Sequence, residues 1–289
     1  MIRKPSFNYI ITIHNKEELL DRVFNGIAAC AGPDARVVAV LDGCVDGSEE
    51  IARRFAARSG IETRLVIAPD VHEIKSLNLG LREAKSGYCV LVQDDVILQE
   101  PKLEDLTHEL CETHERRLGY ISFRLAADLR PTGFLRRLRY SVRAGRHALC
   151  PMIEEHRLVG GPQEFLNVPR IGYGEFQARL AGIKSPVCIT PELRACEPYL
   201  DEDFAPYCYD DVDLSLRALK RGLKNGLFPI RFQSDSSWSG TLKDPQFTSQ
   251  MGANIRLRNR RLIWRKHSDY LMSVLGAESG RAEASSAPG

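Results

Sequence analysis

The sequence predicts an α/β protein: a mostly parallel, twisted sheet with flanking helices and a further region appended C-terminally. Three observations carry this. Short β-branched runs alternate with amphipathic stretches over the first hundred residues, the pattern of βαβ units. Three polar clusters, His14-Asn15, Asp42 to Ser48 and Gln93-Asp94-Asp95, fall at the ends of such runs. The 289 residues are 43% hydrophobic and 27% charged, an ordinary globular composition. A chain this long buries about three quarters of its unfolded surface and needs no disulfide or metal staple.

Each element has its own reason. Tyr9 to Ile13 is a buried apolar run and reads as the first strand. Glu17 to Ala31 carries Leu19, Leu20, Val23, Phe24 and Ile27 at helical spacing and closes at Gly32-Pro33. Arg36 to Leu41 is a second strand, followed by a turn-rich loop and a helix from Ser48 to about Ser59. Thr63 to Ile67 is a third strand, Lys75 to Ala84 a helix, and Tyr88 to Val92 a fourth strand. Beyond Pro101 the pattern loosens: a helix over Leu103 to Glu115, a short strand near Tyr120 to Phe123, an arginine-laden segment from Arg130 to Arg146 and a Gly/Pro stretch around Val159 to Pro162. Val212 to Arg221 is a helix stopped by Gly222. The tail beyond Gly276, rich in Ala, Ser, Gly and Pro, reads as disordered.

Composition excludes several classes. A formal charge of +2 removes the global attraction of a nucleic-acid-coating protein. No apolar run reaches the roughly 18 residues of a spanning helix, and the N-terminal run is too brief for a signal peptide; the expectation is a cytoplasmic protein. Eight cysteines form no CxxC pair and read as reduced, mostly buried thiols. Neither GxGxxG nor GxxxxGK[ST] occurs, which counts against dinucleotide enzymes and P-loop kinases.

Ligands of open α/β sheets bind beyond the carboxyl ends of the strands, where the three polar clusters converge. Asp94 and Asp95 at a buried strand end repel each other and lose hydration, so a cation should compensate them. Hard oxygen ligands suit Mg²⁺ or Mn²⁺ held jointly with substrate phosphates. The alternative is a solvated Asp-Asp turn.

These residues, with Leu77-Asn78-Leu79-Gly80 and the later Asp201-Glu202-Asp203-Phe204 and Tyr209-Asp210-Asp211-Val212-Asp213, resemble a family 2 glycosyltransferase of the GT-A fold. The resemblance is strongest over about residues 7–100 and implies an inverting enzyme. Residues 1–100 would be the nucleotide-sugar-binding half, 101–275 the acceptor-binding and catalytic half of the same domain, and 276–289 the tail. His14, Asn15 and Asp42 would hold the nucleoside, with Lys75 beside the diphosphate, and Asn78 and Asp94 near the sugar or ribose. The alternatives are a turn aspartate for Asp42, a helix cap for Asn78 and a solvated charge for Lys75.

The family's Asp-x-Asp becomes Gln93-Asp94-Asp95, so Asp95 carries the metal contact and Mn²⁺ or Mg²⁺ is expected to arrive with the nucleotide. A late histidine ligand is missing from its approximate place, with His267 a distant candidate. Asp211 would be the general base, with Asp210 and Asp213 orienting the loop or capping the helix. The implied partners are a UDP-, GDP- or dTDP-sugar donor and a hydroxyl acceptor, either a glycan of polysaccharide biosynthesis or a lipid-linked glycan; no nucleic acid is expected. The arginine-rich stretches around Arg136 and Arg256 to Lys266 read either as a contact with the inner membrane face or as an ion-paired surface. The functional alternatives are a catalytically silent nucleotide-sugar-binding relative and a sugar nucleotidyltransferase.

Overall fold

In a computed structural model of the chain, residues 4–131, 153–160, 169–183, 185–238 and 248–285 are described. The first four strands, β1 (Phe7–Ile13), β2 (Arg36–Asp42), β3 (Glu62–Ala68) and β4 (Tyr88–Gln93), are linked by helices α1 (Glu17–Cys30), α2 (Ser48–Arg58) and α3 (Glu73–Glu83). These lie within about two residues of the predicted bounds. β1 pairs in parallel with both β2 and β4, and β2 in parallel with β3. The order is therefore β4-β1-β2-β3, and the winding direction reverses between β1 and β4. A short β5 (Val96–Leu98) and α4 (Leu103–Thr113) follow.

Strand alternation sorts the core into two layers. Tyr9, Ile11 and Ile13 of β1, with Val37, Ala39 and Leu41 of β2 and Tyr88, Val90 and Val92 of β4, join α1 and α2 on one face. Ile10, Val38, Val40, Cys89 and Leu91 join the apolar side of α3 on the other. Each such fully buried side chain contributes roughly 1.5–3 kcal/mol.

The second half extends the sheet. β6 (Leu118–Ser122) and β12 (Val187–Ile189) continue it past β4, and β13 (Lys224–Leu227) and β10 (Gln177–Ala178) complete eight strands, with β12 antiparallel to both neighbours. A second sheet is built from β7 (Leu125–Pro131), β8 (Ile153–Gly160), β9 (Arg170–Ile171) and β11 (Ala181–Ile183) in the order β11-β7-β8-β9, antiparallel except for the parallel β8/β9 pair. The sequence reading did not foresee it, and its Gly/Pro stretch begins inside β8. A short pair joins β5 to β14 (Phe232–Ser234). After a short helix α5 (Pro191–Cys196), helix α6 (Asp210–Lys220) packs on β6, β11 and β13, and a long α7 (Gln250–Ser285) packs on α6, β7 and β8.

One expectation is corrected here. α7 continues to Ser285, past residue 276 where the sequence predicts a disordered tail; alanines at 277, 282 and 284 favour the helix. In the second arginine-rich stretch, Arg258 donates to the carbonyls of Asp203 and Ala205, Arg260 to the Tyr209 hydroxyl, and Lys266 to Asp201. These three cations are engaged within the fold, Lys266 in an ion pair and the two arginines with neutral oxygens. The first stretch lies largely outside the described residues. No helix among the described residues is long and apolar enough to cross a membrane. The seven described cysteines are free thiols, Cys30, Cys89, Cys111 and Cys188 buried and Cys44, Cys196 and Cys208 half-buried; Cys150 lies outside the described residues.

Candidate active site at the carboxyl ends of the strands

The reversal between β1 and β4 opens a crevice, and the predicted polar clusters meet there. The His14 backbone N–H donates to Asp94 Oδ2 at 2.9 Å, joining the end of β1 to the end of β4. His14 Nδ1 lies 2.7 Å from the Asp42 carbonyl oxygen, tying in the end of β2. Asn15, in a left-handed conformation, accepts from the Val45 N–H at 2.8 Å. The loops after β1 and β2 are further knitted by Lys16 N–H to Ser48 Oγ and by Glu17 N–H to Asp46 Oδ2. Burial works against the Asp46 carboxylate, but the Ser48 hydroxyl and these backbone donors hold it below its ordinary range.

Asp42 is 5% exposed and accepts from the Val71 N–H at 2.7 Å. Its carboxylate thus fixes the loop after β3 instead of bonding its own turn. Gly43 needs its φ of +61°, because a Cβ there would lie 2.6 Å from Asp70 Cβ. His14 and Asn15 are exposed at the mouth.

Burial raises the Asp94 carboxyl to about 7, against the pull of Lys16 and the His14 N–H. Burial also raises Asp95, opposed by Lys16 and Arg124 and aided by Glu73. Lys16 Nζ sits 3.9 Å from Asp94 Oδ1 and donates to the Trp238 carbonyl. The cation that two adjacent carboxylates require is therefore supplied in part by Lys16 and Arg124, neither of which sequence reasoning selected. Lys16 had a usable signal, a basic residue directly after the His14-Asn15 strand end. Arg124 and Glu73 had none.

The amide at 93 has a specific partner. Gln93 Nε2 donates to Glu73 Oε1 at 2.9 Å, so an aspartate at 93 would face a like charge. Among the described residues no three His, Cys, Asp or Glu side chains are grouped to hold a metal. Two desolvated hard-oxygen carboxylates that remain above their ordinary range despite two basic neighbours still gain from a further cation. That donor set fits an ion shared with a diphosphate and not a closed protein cage.

Asp210 and Asp211 head α6 and are 0% and 6% exposed. Asp211 Oδ1 accepts from the Val212 N–H at 2.8 Å. Burial first, then the charges of Asp211, Asp210 and Glu73, keep the Tyr120 hydroxyl protonated well above its usual range. Glu73 thus lies electrostatically close both to Tyr120, beside the acidic head of α6, and to Asp95.

Three predicted roles change. Asn78 is 1% exposed, and its amide donates to the Leu200 carbonyl at 2.9 Å and to Glu202 Oε1 at 3.0 Å while accepting from the Leu200 N–H at 2.9 Å. It clamps the loop before α6, with its amide engaged there on both its oxygen and its nitrogen. His267 is neither a metal ligand nor a surface histidine: it is 2% exposed with Nε2 2.8 Å from Asp213 Oδ1. Asp213 likewise does not cap α6; Arg217, Lys266 and His267 surround it at 2.7–2.8 Å. Lys75 is exposed on α3.

Residues 9–121 match the family model described as glycosyl transferase family 2. Over that segment, less than half of the chain, the protein is similar to family 2 glycosyltransferases. The resemblance read from the sequence and the enzyme class it implies are both borne out. No curated protein sequence matches the chain. Among solved structures, the mannosyltransferase PcManGT from Pyrobaculum calidifontis, in complex with GDP-Man and Mn²⁺, is 13% identical with a TM-score of 0.54, covering 97% of this chain and 81% of that one. S. aureus TarS 1–349 in complex with UDP-GlcNAc is 12% identical with a TM-score of 0.53, covering 81% of this chain and 61% of that one. A longer TarS structure is 14% identical with a TM-score of 0.52, covering 80% of this chain and 37% of that one. This chain thus spans less than two thirds of the TarS chains. At these identities the likeness is one of fold, and the fold is the GT-A-like one the sequence predicts.

Proposed function

We propose that the protein is an inverting, metal-assisted glycosyltransferase that moves a sugar from a nucleoside-diphosphate sugar to a hydroxyl of a glycan or lipid-linked glycan, with Asp211 as general base. One observation supports this above the others. Asp95 at the β1/β4 reversal shares the neighbour Glu73 with Tyr120, which in turn feels Asp211 and Asp210. This chain of neighbours favours a donor-side and an acceptor-side carboxylate bordering one crevice. Relatives of the same fold in complex with UDP-GlcNAc and GDP-Man favour a nucleotide-sugar donor.

In this reading His14, Asn15 and Asp42 frame the nucleoside, and Lys16 and Arg124 face the diphosphate, with Lys75 at its edge. Asp95, with Asp94 beside it, would hold Mn²⁺ or Mg²⁺ together with the diphosphate; the ion would supply charge neutralisation on the leaving group. The acceptor oxygen bonds to the anomeric carbon as its proton passes to Asp211, while the bond from that carbon to the diphosphate oxygen breaks and the electron pair leaves with the nucleoside diphosphate. Asp211 heads α6, where the positive end of the helix dipole faces its carboxylate. Base assistance of this kind is worth roughly 10²–10⁴-fold, about 3–5 kcal/mol. The protein would act in the cytoplasm, reaching a lipid-linked acceptor at the inner membrane face.

The test is release of nucleoside diphosphate from UDP-GlcNAc and GDP-mannose with Mn²⁺ present. Asp211→Asn is expected to cut turnover by about 10²-fold or more while donor affinity stays within threefold. Undiminished turnover removes Asp211 from the role of base.

A further inference from the structure

Helix α7 begins some forty residues after Asp211, yet three successive residues of it grip the loop that delivers Asp211. Asn259 is fully buried, and its amide donates to the carbonyls of Phe204 at 2.8 Å, Tyr207 at 2.9 Å and Cys208 at 2.9 Å. Two amide protons are thus shared among three acceptors. Arg258 donates to the carbonyls of Asp203 and Ala205, and Arg260 to the Tyr209 hydroxyl.

The gripped loop has little regular structure of its own beyond one turn over Glu202–Phe204. It ends in two consecutive non-glycine residues in the left-handed region, Cys208 at φ +74° and Tyr209 at φ +73°. Side chains with a Cβ disfavour that region, so such a pair persists only where its surroundings dictate it. The next residue is Asp210. The Tyr209 carbonyl accepts from the Asp213 N–H at 2.9 Å, opening α6. The backbone twist that aims the first turn of α6 is therefore the twist that Asn259 satisfies.

We propose that Asn259, with Arg258 beside it, is a positioning residue for catalysis: α7 holds the 203–209 loop in the conformation that directs Asp211 at the acceptor hydroxyl. This rests on Asp211 being the base. The chemistry at 259 is specific, because three carbonyl oxygens require a donor. An aspartate there would set a carboxylate against them, and an alanine would withdraw the amide donors from all three. The donor half, residues 7–98, makes none of these contacts, so nucleotide binding should be insensitive to residue 259.

The experiment compares wild type, Asn259→Ala, Asn259→Asp and Arg258→Ala. Nucleoside diphosphate release from UDP-GlcNAc or GDP-mannose with Mn²⁺ is measured beside calorimetric binding of UDP and GDP. The expected result is a kcat at least tenfold lower in both Asn259 variants, with KM for the donor and Kd for the nucleotide within twofold of wild type. A kcat within twofold of wild type overturns the proposal. Should the Asn259 variants not fold, Arg258→Ala decides, its side chain being exposed: a kcat at least threefold lower at unchanged nucleotide Kd supports the proposal, and an unchanged kcat overturns it. Asp211→Asn separates the two ideas. If it retains full turnover, the assignment of the base fails; if it is inactive while the position 258 and 259 variants turn over normally, the positioning role alone fails.

Discussion

Asp213 links α6 to α7 through Lys266 and His267, and replacing it with asparagine removes one charge without changing its shape. The carboxylate is wholly buried. Burial opposes its ionisation, but His267, Arg217 and Lys266 hold its pKa at about 2 against an ordinary 3.8. A shift of nearly two units corresponds to about 2 kcal/mol of stability at neutral pH. The folded pKa is depressed, so this contribution is fully present above about pH 4 and is lost as pH falls through about 2. For His267, burial lowers its affinity for a proton while Asp213 works the other way, so it is neutral in the folded protein at pH 7. Unfolding charges it below about pH 6.5, and both proteins lose stability over that range, the variant no less than wild type. Asp213→Asn is expected to lower Tm by about 4–8 °C at pH 7, at roughly 2–4 °C per kcal/mol for a chain of this size, and the gap should close towards pH 2. Thermal melts monitored by circular dichroism at pH 7, 5 and 3 measure it. Equal melting at pH 7, or a gap that does not change with pH, refutes the reasoning.

Asn78→Ala should cost about 1–3 kcal/mol by stranding the Leu200 backbone groups, visible as a lower Tm, while UDP and GDP affinities stay within twofold. Loss of nucleotide binding at unchanged stability would return Asn78 to the donor site. Gly43→Ala places a Cβ against Asp70 and forces a left-handed alanine, with an expected cost of about 1–3 kcal/mol. Because the loop carrying Asp42 must shift, calorimetry should also show weakened nucleotide binding.

The first hundred residues were legible because their information is local. Each strand of the first hundred residues is a continuous apolar run, each helix keeps one apolar stripe, and the polar clusters fall where those runs stop. His14, Asp42 and Asp94 could thus be placed together before any coordinates. The rest of the chain hides its organisation in long-range polar contacts. α7 escaped notice because its buried face includes Asn259 and His267 as well as Ile263 and Leu271, and a stripe of that composition does not read as apolar. Asn78 was assigned to the nucleotide because its true partners stand 122 residues away at Leu200 and 124 away at Glu202. Glu73 had no signal either, since only folding brings it against Gln93. The second sheet was missed for a similar reason: β7 ends in the exposed Arg130-Pro131, and β8 carries Glu155, His156 and Arg157.

The central claim is that the carboxyl ends of β1, β2 and β4 form a nucleotide site completed by a divalent ion. Titration of UDP, GDP and dTDP into the protein, with and without Mn²⁺, tests it most directly. One of the three should bind at one equivalent, more tightly with Mn²⁺, and Asp95→Ala should abolish the gain from the metal. Failure of all three to bind, or a metal effect untouched by Asp95→Ala, would contradict it.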